Sequence, residues 1–160
     1  MYDLHSILIQ LKKEDTPLHG VMVRCVRCFY QRLDPTLWEG SALFELWDQE
    51  LELIYGDLRQ WLSPNAKTDA GSLGDRFGFD TPPELPRLLQ SIQTFYSVLI
   101  KLIAWNTLRG ATPEPPLTEL LSGKAFANRG IRNFCGDDWY IWPLDVWDPA
   151  LEAQCEELWA

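Results

Sequence analysis

The chain has 160 residues, 46% of them hydrophobic and eight of them tryptophan, with a formal net charge of −9 at pH 7. This length fits one domain, and the apolar content is high enough to form a core, which excludes a disordered chain. The negative charge opposes attraction to the phosphate backbone, so a free-standing DNA-binding protein is disfavoured.

Three helices are predicted in the first part of the chain. Residues 2–13 form a short amphipathic pattern, and residues 18–33 form a second helix that ends before Asp34-Pro35. Between residues 44 and 62, apolar side chains recur every three or four positions with acidic residues between them, which predicts a one-sided helix facing the core.

A loop and a long central helix are predicted next. Residues 63–80 contain proline, asparagine and three glycines without a sustained period, which predicts a surface loop. Thr81-Pro82-Pro83-Glu84 fits a capping box at a helix start. The helix is expected to run to Arg109 and stop at Gly110, and from residue 95 nearly every face is apolar, as in the centre of a bundle.

The last part of the chain predicts short elements. After a proline-rich turn, helices are expected at 117–121 and 123–128, the second closed by Gly130. Residues 131–144 look irregular, with a brief strand at 139–142, and a last helix is expected from Pro149 to residue 159. The chain therefore predicts one all-α domain over residues 1–160, a multi-helix bundle with an irregular aromatic-rich segment near its C-terminus. Because no capping glycine or polar tail follows, we interpret it as a fragment of a longer protein.

The compartment follows from the ends and the cysteines. No signal peptide is visible at the N-terminus, and no apolar run reaches the length of a membrane span. The four cysteines form no disulfide framework. We expect a cytoplasmic protein with reduced thiols and no membrane association.

The sequence disfavours a zinc site, a cysteine redox site and a catalytic site built on histidine. Cys25 and Cys28 have metal-ligand spacing, but a closed zinc site needs four ligands and no second close pair exists. The pair does not follow a strand, as a redox motif requires. His5 and His19 have no nucleophile motif nearby, so no catalytic, cofactor or metal residue is predicted.

Acidic and aromatic residues cluster near the C-terminus. Asp137, Asp138, Asp145 and Asp148 could hold a divalent ion, although helix caps and turns explain most of them more simply. The neighbouring tryptophans fit a core or an interface, with a core favoured. Possible interface residues are Trp139, Tyr140, Trp142, Trp147, Arg129 and Arg132.

Residues 44–159 carry a series of motifs in a particular order. After Trp47 and Tyr55-Gly56 come the segments 101–104 (KLIA), 122–126 (SGKAF), 129–134 (RGIRNF), 137–142 (DDWYIW) and 145–148 (DVWD). In this order they resemble the helical region upstream of the catalytic domain in adenine-specific DNA methyltransferases of restriction-modification and defence systems. One departure lies at Gln93-Thr94-Phe95, where that family often has charged or histidine residues.

The resemblance implies a non-catalytic N-terminal domain that braces the catalytic or target-recognition domain of its parent. The family's S-adenosylmethionine loop and adenine-pocket motif lie downstream, and neither residues 74–78 nor residues 80–84 match them. This chain alone is therefore not expected to bind the cofactor or transfer a methyl group. DNA would be reached only through the parent.

Two other functions remain open at this point. A stand-alone acidic protein-interaction module would account for the charge and the loop at residues 63–80. A DNA-mimic inhibitor is less well supported, because its acids should lie on one face like phosphates, whereas here they alternate with Arg and Lys.

Overall fold

The structure, a computed structural model, describes residues 4–33, 73–134 and 141–158, together with residue 49. The named elements in these residues are all helical, so the predicted all-α class is confirmed. They are α1 (Leu4–Lys12), α2 (Pro17–Arg32), α3 (Leu85–Leu108), α4 (Leu117–Leu121), α5 (Lys124–Ala127), a 3-10 helix (Trp142–Val146) and α6 (Pro149–Glu156). The predicted helix at 44–62 lies outside the described residues except for residue 49, which is helical.

Helices α2 and α6 begin where local capping chemistry directs. The Thr16 hydroxyl accepts from the His19 backbone N–H, and the Asp148 carboxylate accepts from the Leu151 N–H at 2.7 Å. Each cap is followed by a proline, whose missing N–H costs nothing in the first turn. The predicted start at Asp148-Pro149 is confirmed.

Helix α3 is the central element of the core. It packs mainly on α2 and also contacts α4. Its inward face includes Leu88, Phe95 and Leu102, all at most 2% exposed. Three polar residues, Gln90, Ser91 and Thr94, are fully buried on the same helix. The Ser91 and Thr94 hydroxyls donate to carbonyls one turn back, which allows these polar groups to be buried.

By length and composition, α3 could cross a membrane, with a mean hydropathy of 1.2 in its most apolar stretch. This corrects the expectation that no segment reaches that length. However, 56% of the stretch is buried inside the protein, as in the core helix of a soluble domain. The feature is therefore weak evidence for a membrane span.

The capping box predicted at residues 81–84 is wrong. Helix α3 begins at Leu85, and Glu84 is an extended N-cap residue without a side-chain capping bond. The Glu84 backbone N–H instead donates to the Tyr30 hydroxyl oxygen at 3.1 Å. A side chain from α2 thus replaces the local cap.

Two irregular segments also differ from expectation. Within the predicted loop, residues 73–76 form a helical turn, and Phe77 is buried at 6% exposure. In the predicted strand, residues 139–140 lie outside the described part, and Trp142 opens the 3-10 helix. The next residue, Pro143, lacks the backbone N–H that pairing with a neighbouring strand would use.

Candidate functional site

The residues predicted as a possible interface occupy different environments. Trp139 and Tyr140 lie outside the described residues. Trp142 is 8% exposed, and its indole N–H donates to the Thr94 hydroxyl at 2.9 Å. Trp147 is half-buried against the core, whereas Arg129 and Arg132 are exposed. Trp142 therefore belongs to the core, which was the favoured alternative for the tryptophans.

Arg129 is held against the C-terminal end of α3. Its guanidinium lies 4.9 Å from the centre of the Trp105 ring. It donates to the carbonyls of Leu108 and Arg109 and to the Thr112 hydroxyl. These carbonyls have no partner within the helix, so the arginine caps it. Both terminal nitrogens of Arg129 are thus engaged inside the fold.

Lys101 is also used inside the fold. Lys101 is only 3% exposed, and its Nζ donates to the Leu121 carbonyl at 2.8 Å. This bond ties the middle of α3 to the end of α4. The following segment turns at Gly123, with a φ of 79°, and delivers the fully buried Phe126 to the Trp105 ring, 5.7 Å away.

An ion pair joins α2 to the start of α6. The Arg32 guanidinium donates to both Asp148 oxygens, at 2.9 and 2.8 Å, and to the Cys28 sulfur at 2.8 Å. Two hydrogen bonds hold the pKa of Asp148 below its ordinary value: the larger effect comes from the Leu151 N–H and the next from Arg32. Asp148 is therefore a helix cap and an ion-pair partner, as the simpler interpretation of the acidic cluster predicts.

The described cysteines and His19 are poorly placed for chemistry. Cys25 and Cys155 are fully buried, and the Cys25 thiol donates to the Gln154 carbonyl at 3.3 Å. Burial raises the pKa of both thiols, that of Cys155 to about 12, so they remain neutral. His19 Nδ1 is 2.9 Å from the Leu11 carbonyl. Among the described residues, no group of three potential ligands could hold a metal ion.

The structure contains a pocket that the sequence did not predict. It has a volume of about 640 Å³ and lies between α1, α2, α3 and the turn that follows α6. Its apolar lining consists of Ile7, Pro17, Leu18, Val21, Leu99, Leu102, Ile103 and Leu158. No aromatic side chain is among the lining residues in the part of the chain that the structure describes. We call it the aliphatic pocket.

Polar side chains border the aliphatic pocket. Arg109 pairs with Glu114, and Glu157 pairs with Arg24 on α2. The amide side chains of Gln10 and Asn106 also line it. The described lining thus has aliphatic walls and provides no aromatic ring on which a nucleobase could stack. Its described residues place no nucleophile beside a base, and its geometry is suited to binding an apolar group.

Sequence patterns could not reveal this pocket, because its lining comes from three helices and a turn near the C-terminus. Leu18 and Val21 have the spacing of an ordinary core face, and nothing local distinguishes them from buried residues.

We also compared the chain with known proteins. No family model matches it, and no curated protein and no solved structure shows significant similarity to it.

Proposed function

We propose that this chain is the non-catalytic N-terminal helical domain of an adenine-specific DNA methyltransferase from a restriction-modification or phage-defence system. In that role it braces the catalytic or target-recognition domain, and the parent enzyme supplies the S-adenosylmethionine site and the contact with DNA. The proposal rests on the ordered motifs at 101–104, 122–126, 129–134 and 145–148.

One observation carries the structural part of this proposal: three polar residues of these motifs, Lys101, Arg129 and Asp148, make contacts inside the domain. Lys101 donates to Leu121, Arg129 caps α3, and Asp148 caps α6 while pairing with Arg32. A motif whose polar groups are used internally specifies a fold, whereas a catalytic motif directs such groups into a cleft. These contacts support a scaffold role.

The deciding experiment uses the native reading frame that contains this chain. We expect the frame to continue into a methyltransferase domain, and the full protein to bind S-adenosylmethionine and methylate adenine in DNA. Removing residues 1–160 should reduce methylation, and residues 1–160 alone should bind no cofactor. A frame that ends at Ala160, or full activity without this domain, would overturn the proposal.

A stand-alone interaction module is the second candidate. It is favoured by apolar side chains left on the surface, among them Ile100 at 55% exposure and Tyr96 at 40%, one turn apart on α3. Retention of a specific protein partner by a chain that ends at Ala160 would support this function instead.

The charge distribution bears on the DNA-mimic alternative. In the described part, Glu114, Asp148 and Glu157 each pair with an arginine. A mimic needs carboxylates that remain free to replace phosphates, whereas these three carboxylates are engaged by arginines. We place the protein in the cytoplasm, where its proposed parent would meet DNA.

A further inference from the structure

We propose that the aliphatic pocket is a binding site for an uncharged amphiphile, a molecule with a saturated hydrocarbon chain and a neutral hydrogen-bonding head. This inference is independent of the parent enzyme. It assigns a ligand class to a site that the scaffold role does not use.

The size and lining of the pocket determine the apolar part of the ligand. Its volume of about 640 Å³ falls within the range of roughly 300–1,000 Å³ typical of small-molecule sites. Leu99 and Leu102 are at most 7% exposed, whereas Ile103 is only partly buried. None of the described residues that line this pocket is aromatic. Aliphatic walls without a stacking ring favour a flexible saturated chain over a planar ring.

The charges at the border determine the head group. Among the described residues, the charged side chains that line the pocket are Arg109, Glu114 and Glu157. Arg109 pairs with Glu114, while Glu157 pairs with Arg24. A charged head would have to compete with one of these pairs and would lose hydration on binding. A neutral head avoids both costs.

Two amides are available to such a head. Gln10 on α1 and Asn106 on α3 both line the pocket, and their side chains make no hydrogen bond to the described part of the chain. Each presents a carbonyl acceptor and an N–H donor. A primary amide or a hydroxyl can therefore be recognised from two elements at once.

Three probes that share one hydrocarbon chain test this inference: octanamide, octanoate and octylamine, at pH 7. Titrations of the 160-residue chain are followed by the backbone amide signals of α1, α2 and α3 in NMR spectra. We expect saturable shifts with octanamide and binding at least about tenfold weaker for both charged probes, a difference of about 1.4 kcal/mol.

Matched substitutions on α3 locate the site. Ile103→Phe places a ring in the pocket and should weaken octanamide binding about tenfold or more. Ile100→Phe changes the same residue type on the same helix at an exposed position that does not line the pocket, and should leave binding within about twofold. If Ile103→Phe fails to fold, Val21→Phe on α2 tests the same volume from the opposite wall.

Four outcomes would overturn the inference. The first is an absence of saturable shifts with octanamide. The second is a charged probe that binds as tightly as octanamide, and the third is an Ile100→Phe variant that binds octanamide as weakly as Ile103→Phe. The fourth is a concentration-dependent dimer in sedimentation equilibrium that Ile103→Phe dissociates, because the pocket would then be filled by a second copy of the chain.

Discussion

The motif region, which we define as Lys101 together with residues 122–148, and the aliphatic pocket use polar groups in opposite ways. In the motif region, Lys101 and Arg129 donate to backbone carbonyls, and the Asp148 carboxylate accepts a hydrogen bond from a backbone N–H. At the pocket, the amides of Gln10 and Asn106 have no hydrogen-bond partner among the described residues. The first arrangement stabilises the fold, and the second leaves groups available to a ligand.

This difference shows why conspicuous motifs are a poor guide to a binding site in this chain. Glycines, buried aromatics and paired charges produce recognisable patterns because turns and cores demand them. The pocket is lined by ordinary Leu, Ile and Val side chains and therefore produces no pattern. If the comparison holds, motif substitutions should change stability, whereas pocket substitutions should change binding.

The largest effect is expected at the centre of the motif region. Phe126 is fully buried between the rings of Trp105 and Phe134. Phe126→Ala should lower the free energy of unfolding by about 3–5 kcal/mol, because a large cavity remains. Urea unfolding measures this loss. Phe134→Ala, at a half-buried position, should cost clearly less, and equal costs would contradict a core centred on Phe126.

A smaller loss is expected from a buried hydrogen bond. Trp142→Phe removes the indole N–H that donates to Thr94, and should cost about 1–3 kcal/mol in urea unfolding. Trp147→Phe is the matched control, because the buried Trp147 indole N–H has no partner in the described part of the chain. If both substitutions cost the same, the bond between Trp142 and Thr94 contributes little.

The ion pair between α2 and α6 should make stability depend on pH. The pKa of Asp148 is lowered in the folded state, so its contribution is present above the unfolded aspartate pKa of about 3.9 and is lost as pH falls through the folded value. The melting-temperature difference between wild type and Asp148→Asn should therefore be constant above about pH 5 and shrink below about pH 4.

Asp145→Asn is the control for this pH dependence, since Asp145 is exposed on the 3-10 helix. It reports how acid affects the whole protein. A gap between wild type and Asp148→Asn that persists unchanged to about pH 2 would show that the charge of Asp148 is not what stabilises this junction.

Local signals predicted much of the described fold. The bounds of α4 at residues 117–121 match the prediction, and α3 ends at Leu108, one residue before the predicted last residue Arg109. Gly110 and Gly130 have positive φ values of 58° and 77°, as expected for residues that end helices. Each of these features depends on a few neighbouring residues, which is why the sequence reveals them.

Features that depend on distant residues were missed. The start of α3 was misplaced because its N-cap amide bonds to Tyr30, 54 residues away. The loop prediction failed at residues 73–76 because Phe77 is buried and Phe79 packs on the Tyr30 ring at 4.8 Å. The aliphatic pocket is the extreme case, since it exists only after α1, α2 and α3 have packed.

The smallest effects are expected from adding one methyl group at a glycine. The resulting change in stability should have opposite signs in the two regions. Gly130 in the motif region has open space around it but a φ of 77°, so Gly130→Ala should destabilise by about 1 kcal/mol through backbone strain. Gly20 lies inside α2 beside the pocket residues Leu18 and Val21, and an added Cβ would meet only Arg24 at an ordinary 3.5 Å. Gly20→Ala should therefore stabilise by about 0.5–1 kcal/mol, because alanine loses less backbone entropy on folding. Urea unfolding measures both changes in stability. Octanamide binding should be unchanged by Gly20→Ala. A loss of stability in Gly20→Ala would mean that the wall of the pocket is more tightly packed than the contact with Arg24 indicates.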